Sequence, residues 1–357
     1  GSMQEENKLP LVKQSLKVLI ENMRPSDHIP IVSYAAAAGL VLASTSCSEK
    51  EIINKAIDNM NAGGSTAGGE GLILAYNIAA VNAEPKSNNR IILVTDGDFN
   101  VGLQSDEEMQ KLIEKKRNTG IFLTVCGFGM GNYKDSKMEI LADKGNGNYY
   151  YIDNYKEAIK LFSTNLTGTL FTIAKDVKIQ VEFNPAFVKA YRLIGYENRK
   201  LKDEDFEDDT KDAGELGSGH NVTALYEIVP AGSTMKVPGF TELKYQENTT
   251  PKTTVVASAE LLTIKLRYKT PYKDTSTLIV KTMMPGNKKF ANASESFRYA
   301  AGVTAFAMVL RNSKYKGCAT YKMAKEIINS SDLNTSNGYK TELVQLIDKA
   351  ALLSIPK

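Results

Sequence analysis

Ile91-Ile92-Leu93-Val94-Thr95-Asp96-Gly97-Asp98 is the stretch on which the reading of this chain turns. Four consecutive apolar residues, three of them β-branched, give way at once to a carboxylate and a glycine. A short apolar run of that kind reads as a strand buried on both faces, the habit of parallel sheets. Asp-Gly is a turn signal, so the carboxylate of Asp96 falls where the strand ends. In open α/β sheets that end is where ligands bind.

The neighbouring segments repeat the alternation. Upstream, Leu72, Ala75, Tyr76 and Ala79 mark a helix that follows the loop Gly63-Gly64-Ser65-Thr66-Ala67-Gly68-Gly69. Downstream, residues 106–118 read as a helix, 121–125 as a second buried strand, 133–142 as a helix, 149–152 as a third strand and 155–162 as a closing helix. Nearer the start, Leu9, Val12, Leu16, Ile20 and Met23 recur at three- and four-residue spacing and predict a helix over 8–24, stopped by Pro25. Two strands, 29–34 and 39–43, and a helix over 49–60 complete the first part. Strand and helix in alternation predict an α/β, doubly wound, mostly parallel sheet.

After about residue 168 the period changes. Residues 177–183, 222–228 and 262–268 alternate apolar with polar, as half-buried antiparallel strands do. A sandwich-like β region is expected to about residue 285, interrupted by the acidic segment 203–215. The remainder, 286–357, reads as a helical extension that packs on the β region. Residues 297–310, 321–328 and 340–353 form its helices. The expected domains are therefore 1–168, 169–285 and 286–357.

Composition narrows the function. The chain has 357 residues with 44 basic and 41 acidic side chains, a net charge of +3. That balance offers no electrostatic footprint for nucleic acid. No apolar run approaches the ~20 residues of a membrane-spanning helix. Cys47, Cys126 and Cys318 are too few and too scattered for a disulfide framework or a zinc site, and the compartment stays open. Only two histidines, His28 and His220, are present, and neither has a nucleophile placed beside it in sequence. Gly127-Phe128-Gly129-Met130-Gly131 lacks the spacing and the acidic residue of a dinucleotide loop. The acidic run Asp203, Asp205, Glu207, Asp208, Asp209, Asp212 and Glu215 lacks the glycine at the turn of a helix-loop-helix calcium site and reads as a solvated loop.

Two stretches carry chemistry. The 63–69 loop offers the hydroxyl of Thr66, and the strand end offers Asp96; such oxygens suit a hard cation like Mg²⁺. Each also has a plainer explanation, Thr66 as the cap of the following helix and Asp96 as a turn residue. If both serve one site, Thr66 Oγ and the Asp96 carboxylate should lie within ~6 Å of a common point, leaving room for a water-mediated ligand.

Strand then Thr95-Asp96-Gly97 resembles the metal-binding turn of von Willebrand factor type A domains, and Gly63-Gly64-Ser65-Thr66 resembles their threonine loop. The turn Gly145-Asn146-Gly147-Asn148-Tyr149-Tyr150 agrees with the resemblance, which covers residues 1 to about 168. The match is fuller to bacterial members that carry Thr-Asp-Gly-Asp-Phe-Asn-Val-Gly, here 95–102, and a β-rich C-terminal extension. The resemblance implies a Mg²⁺ or other divalent cation held by Ser2, Thr66 and Asp96. A partner protein's Asp or Glu would fill the open coordination position. Gly1-Ser2-Met3 stands either as the tail of the family's Asp-x-Ser-x-Ser loop or as a purification remnant that mimics it. The family's first aspartate, first serine and central strand have no counterpart here. Something is therefore expected to fill the position between the strands at 29–34 and 91–94. The leading expectation is a metal-dependent binding module of the bacterial cell envelope rather than an enzyme. The alternatives are a scaffold with a vestigial metal site and a metal-dependent hydrolase.

Overall fold

The computed structural model describes residues 3, 5–34, 38–63, 68–84, 87–96, 106–129, 135–196, 200–211, 213–235, 258–271, 273, 275–286, 289–333 and 338–354. They fall into two compact units, Gly1–Met283 and Met284–Lys357.

The first unit opens with α1 (Leu9–Asn22), the hairpin β1 (His28–Ser33) and β2 (Gly39–Ser46), then α2 (Lys50–Asp58) and α3 (Gly68–Asn82). β3 (Asn89–Thr95), α4 (Asp106–Arg117), β4 (Ile121–Phe128), α5 (Asp135–Lys144) and β5 (Tyr149–Ile152) follow. β3, β4 and β5 form a parallel sheet in that order, with Leu93 opposite Val125 and Cys126 opposite Tyr150. α6 (Tyr155–Ile159) runs into a π-helical turn, Lys160–Thr164, and then α7 (Leu166–Leu170).

Side-chain alternation along β4 explains why helices cover both faces. Ile121, Leu123 and Val125 point into a core made with Leu72 and Tyr76 of α3, Met109 and Ile113 of α4, and Met138 of α5. Cys126 and Phe128 point the other way, onto Leu11, Val12 and Leu19 of α1 and Ala158 of α6. The sheet is thus doubly wound. A third cluster joins Ile20 of α1 to Ile53 and Ile57 of α2 and to Cys47.

Among the described residues β3 is the terminal strand of this sheet. Its burial agrees: Ile91, Ile92 and Val94 are only half-buried, whereas β4 is buried almost throughout. β1 pairs with β2 alone and not with β3, and no described strand lies between β1 and β3. The Tyr34 hydroxyl, just past β1, donates to the carbonyl of Val94.

The rest of the first unit is antiparallel. β6 (Thr172–Phe183), β7 (Val188–Ile194), β8 (Gly214–Gly217), β9 (Leu225–Pro230), β10 (Leu262–Lys269) and β11 (Thr277–Met283) make two sheets, ordered β11-β10-β6-β8 and β7-β9. The acidic segment is not simply solvated. Buried Lys178 of β6 donates to the carbonyls of Asp205 and Asp208. Buried Lys269 of β10 donates to the carbonyl of Asp209 and to Asp176 Oδ2, both at 2.7 Å. Two ammonium groups therefore take the backbone oxygens that a cation-binding loop would use.

Arg90 on β3 ties the parallel sheet to this region. Its guanidinium donates to Thr124 Oγ1 at 2.7 Å and to Thr172 Oγ1 at 3.2 Å, and lies 5.5 Å over the Phe122 ring. Burial pulls its pKa down to about 10, opposed by the charges of Tyr150 and Glu215.

The second unit holds α8 (Glu295–Leu310), α9 (Tyr321–Asn329) and α10 (Tyr339–Leu353). Ser294 and Thr320 cap the first two by accepting the Phe297 and Met323 amides.

Candidate metal centre

Asp96 stands one residue beyond β3, at the carboxyl end of the parallel sheet. Its side chain is 9% exposed, and the ammonium of Lys8 lies 3.8 Å from Oδ2. The Lys8 side chain is 11% exposed, so both members of the pair are close to buried. At that separation the gross Coulomb attraction is on the order of 4 kcal/mol for an effective dielectric near 20, and desolvation of the two groups opposes it.

Lys8 is placed by its backbone. It immediately precedes α1, its N–H donates to Glu5 O at 3.0 Å, and its carbonyl accepts the Val12 N–H at 2.8 Å. The start of α1 thereby sits at the same end of the sheet as Asp96. The Lys8 stem crosses Gly129, just past β4. A Cβ on Gly129 would lie 2.5 Å from Lys8 Cε and 2.9 Å from Cγ, and φ there is +83°. Only glycine leaves this passage open at low cost. Tyr151 Oη holds the far side of Gly129 by donating to its carbonyl at 2.5 Å.

Tyr34 lines the other flank. Burial, with the Asp96 charge adding to it, drives its phenol well above the usual tyrosine range, so it remains a neutral donor. Thr95, next to Asp96, is buried.

Of the three expected ligands, the structure describes Asp96. Ser2 and Thr66 lie outside the described residues, as do Asp98 and Asn100. Among the described residues no group of three His, Cys, Asp or Glu side chains is arranged to hold a metal. Among the described residues the donor set is one carboxylate, a ligand type that suits a hard cation, and its Oδ2 faces the Lys8 ammonium. Glu70, in the first turn of α3, is exposed, which suits a favourable interaction with the helix N-terminus. His28 on β1 and His220 between β8 and β9 are both exposed. Sequence reasoning missed Lys8 and Tyr34. A cation at the head of an apolar helix face was the available signal for Lys8. Nothing in the local pattern marked Tyr34.

The model of the "von Willebrand factor type A domain" family matches residues 1–164, and that of "Uncharacterized protein YfbK, C-terminal" matches residues 168–353. The chain belongs to the YfbK family. In it a von Willebrand factor type A domain is joined to a YfbK C-terminal region that takes in the antiparallel sheets and the helices of the second unit. The "Uncharacterized protein YfbK" of Escherichia coli (strain K12) is 40% identical over 352 residues, covering 98% of this chain and 60% of that protein. The "Uncharacterized protein sll0103" of Synechocystis is 28% identical over 162 residues, 45% of this chain and 37% of that protein. The chain thus spans less than two thirds of either relative. Among solved structures, a von Willebrand factor type A protein from Catenulispora acidiphila aligns over 96% of this chain and 78% of its own, at 15% identity and TM-score 0.45. Proximal thread matrix protein 1 from the mussel byssus, described with a zinc-occupied MIDAS motif, aligns over 46% of this chain and 41% of its own, at 22% identity and TM-score 0.36.

Proposed function

We propose that this YfbK-family chain is a protein-binding module whose divalent cation, Mg²⁺ by preference, sits at the carboxyl end of the parallel sheet. Asp96 holds it with the hydroxyls of Thr66 and Ser2, and the cation supplies an open coordination position for an Asp or Glu of a partner protein. The single observation that supports this most is Asp96 itself, a nearly covered carboxylate at the strand end of a von Willebrand factor type A domain. The residues around it do the rest. Tyr34 fixes the strand end through Val94, and Lys8 at the start of α1 reaches the Asp96 carboxylate. We place the domain boundaries of this module at 1–168, 169–285 and 286–357, and its working compartment at the cell envelope.

Titration calorimetry of Mg²⁺ and Mn²⁺ into the full natural protein and its Asp96→Ala variant tests the reading. Asp96→Ala is expected to weaken binding by at least about 100-fold, beyond what loss of an outer-shell partner usually causes. Equal affinity in both proteins would refute it. One observation favours a scaffold with a vestigial site instead: Lys8 already neutralises Asp96. On that reading neither protein binds the ion.

A further inference from the structure

The two edges of the sheet β11-β10-β6-β8 are built differently. β8 is short, Gly214–Gly217, and its pairing with β6 slips twice, between Thr172 and Ala174 and between Ala174 and Val177. Short and irregular strands are how sheets blunt an edge. β11 has neither property. Its seven residues pair with β10 in one unbroken register, from Thr277 opposite Tyr268 to Met283 opposite Leu262. The strand holds no proline, glycine or bulge. All seven residues are exposed, and Leu278, Ile279, Val280 and Met283 are 45%, 39%, 48% and 52% so. Among the described residues β11 pairs with β10 alone. A regular, apolar strand with one edge bare is a template for another strand.

We propose that β11 is a dimer interface, pairing antiparallel with β11 of a second copy of this chain about a two-fold axis at Val280. Charge selects the occupant and the register. Lys281 is the one charged residue of β11. A parallel, in-register pair sets Lys281 of one copy directly against Lys281 of the other, and like charges so placed destabilise a sheet. The antiparallel pair centred on Val280 sets each Lys281 opposite Ile279 of the other copy. Its stem then lies along an apolar side chain while its ammonium stays in water. Val280 meets its own counterpart on the axis, and Leu278 meets Thr282. Ile279 also continues an apolar row, through Leu266 of β10 to the exposed Ile179 of β6. A net charge of +3 on 357 residues leaves two copies little mutual repulsion. The two-fold axis uses both bare edges at once, so the assembly closes at two copies instead of growing into a fibre.

The test is analytical ultracentrifugation of the full natural protein at micromolar concentration, as wild type, Val280→Lys, Val280→Asp, Val280→Thr and an equimolar mixture of the first two variants. Wild type should be a dimer. Val280→Lys and Val280→Asp each put two like charges face to face across the axis and should be monomers. Their mixture should return to a dimer, because a lysine then faces an aspartate; that recovery also shows that both variants fold. Val280→Thr, uncharged and suited to a strand, should stay dimeric. A monomeric wild type overturns the proposal, even if the strand captures some other protein. A dimeric Val280→Lys or Val280→Asp overturns it too, since the copies then meet elsewhere. A mixture that stays monomeric overturns the two-fold register at Val280.

Discussion

At the scale of single residues, Gly147 shows how much a turn can depend on one missing atom. The turn it belongs to docks on β4 through Leu123 N–H to Gly145 O and Val125 N–H to Asn148 O, both 2.9 Å. A Cβ on Gly147 would sit 1.8 Å from the Leu123 carbonyl oxygen, a backbone atom with nowhere to go. Gly147→Ala is therefore expected to cost about 3 kcal/mol in chemical denaturation. The cysteines divide as cleanly. Burial pushes the Cys126 thiol up to about 12, and burial followed by the nearby Asp27 charge raises Cys47. Cys318 is exposed. Because the thiolate is the reactive form, an alkylating reagent at pH 8 should label Cys318 alone in the native protein and all three cysteines after denaturation, as mass spectrometry would count. At this scale the sequence showed Asp96 because Asp-Gly after an apolar run is a local signal. The Lys8 contact was invisible, since it joins residues brought together only when α1 packs beside β3.

Among the elements, the strands that the sequence exposed most plainly were those with a pure pattern. Tyr149–Ile152 and Leu262–Lys269 appear almost where the periodicity set them. β7, β8 and β11 were missed, β8 because four residues hold too little alternation to read. The π-helical turn Lys160–Thr164 was absorbed into a longer expected helix, because 3.6-residue periodicity cannot register an extra residue in one turn. The acidic segment was read as solvated because charge density suggests water. Its backbone is instead gripped by lysines of β6 and β10, distant in sequence. Lys269 and Asp176, 9% and 14% exposed, make the strongest part of that grip. Lys269→Met leaves Asp176 unpaired and is expected to cost about 3–5 kcal/mol by denaturant titration. The same segment should respond to acid. Hydrogen bonds from Thr210 hold the Asp208 carboxyl below its ordinary 3.8, and bonds from Ser276 do so for Asp209. A folded pKa below the unfolded one stabilises the attachment above about pH 4 and loses it as pH falls through the depressed values. Amide exchange in this segment should rise selectively below pH 4. Uniform exchange across the chain would contradict that.

For the whole molecule, the family boundary near residue 168 does not coincide with a structural seam. Residues 1–283 form one compact unit in which Arg90 reaches Thr172 and Asn88 Nδ2 donates to Leu170 O at 2.5 Å. A fragment ending at residue 168 strands the Arg90 charge away from Thr172 and Glu215. It is expected to melt about 10 °C below a fragment ending at residue 283; equal melting temperatures by calorimetry would show that the bridge adds nothing. The alternation of strand and helix made the α/β part legible, because each element advertises itself locally. The edge position of β3 was not legible, since pairing partners are chosen across the sheet and not along the chain. Arg90 also sets a clock. On a ribosome adding ~5–20 residues per second, Glu215 emerges on the order of ten seconds after the arginine that its charge supports. Through that interval the nascent sheet either keeps Arg90 in water or shelters it elsewhere. The parallel core thus reaches its final form only after the downstream strands have been synthesised, and a translational pause before residue 215 would lengthen the time this surface spends open to chaperones.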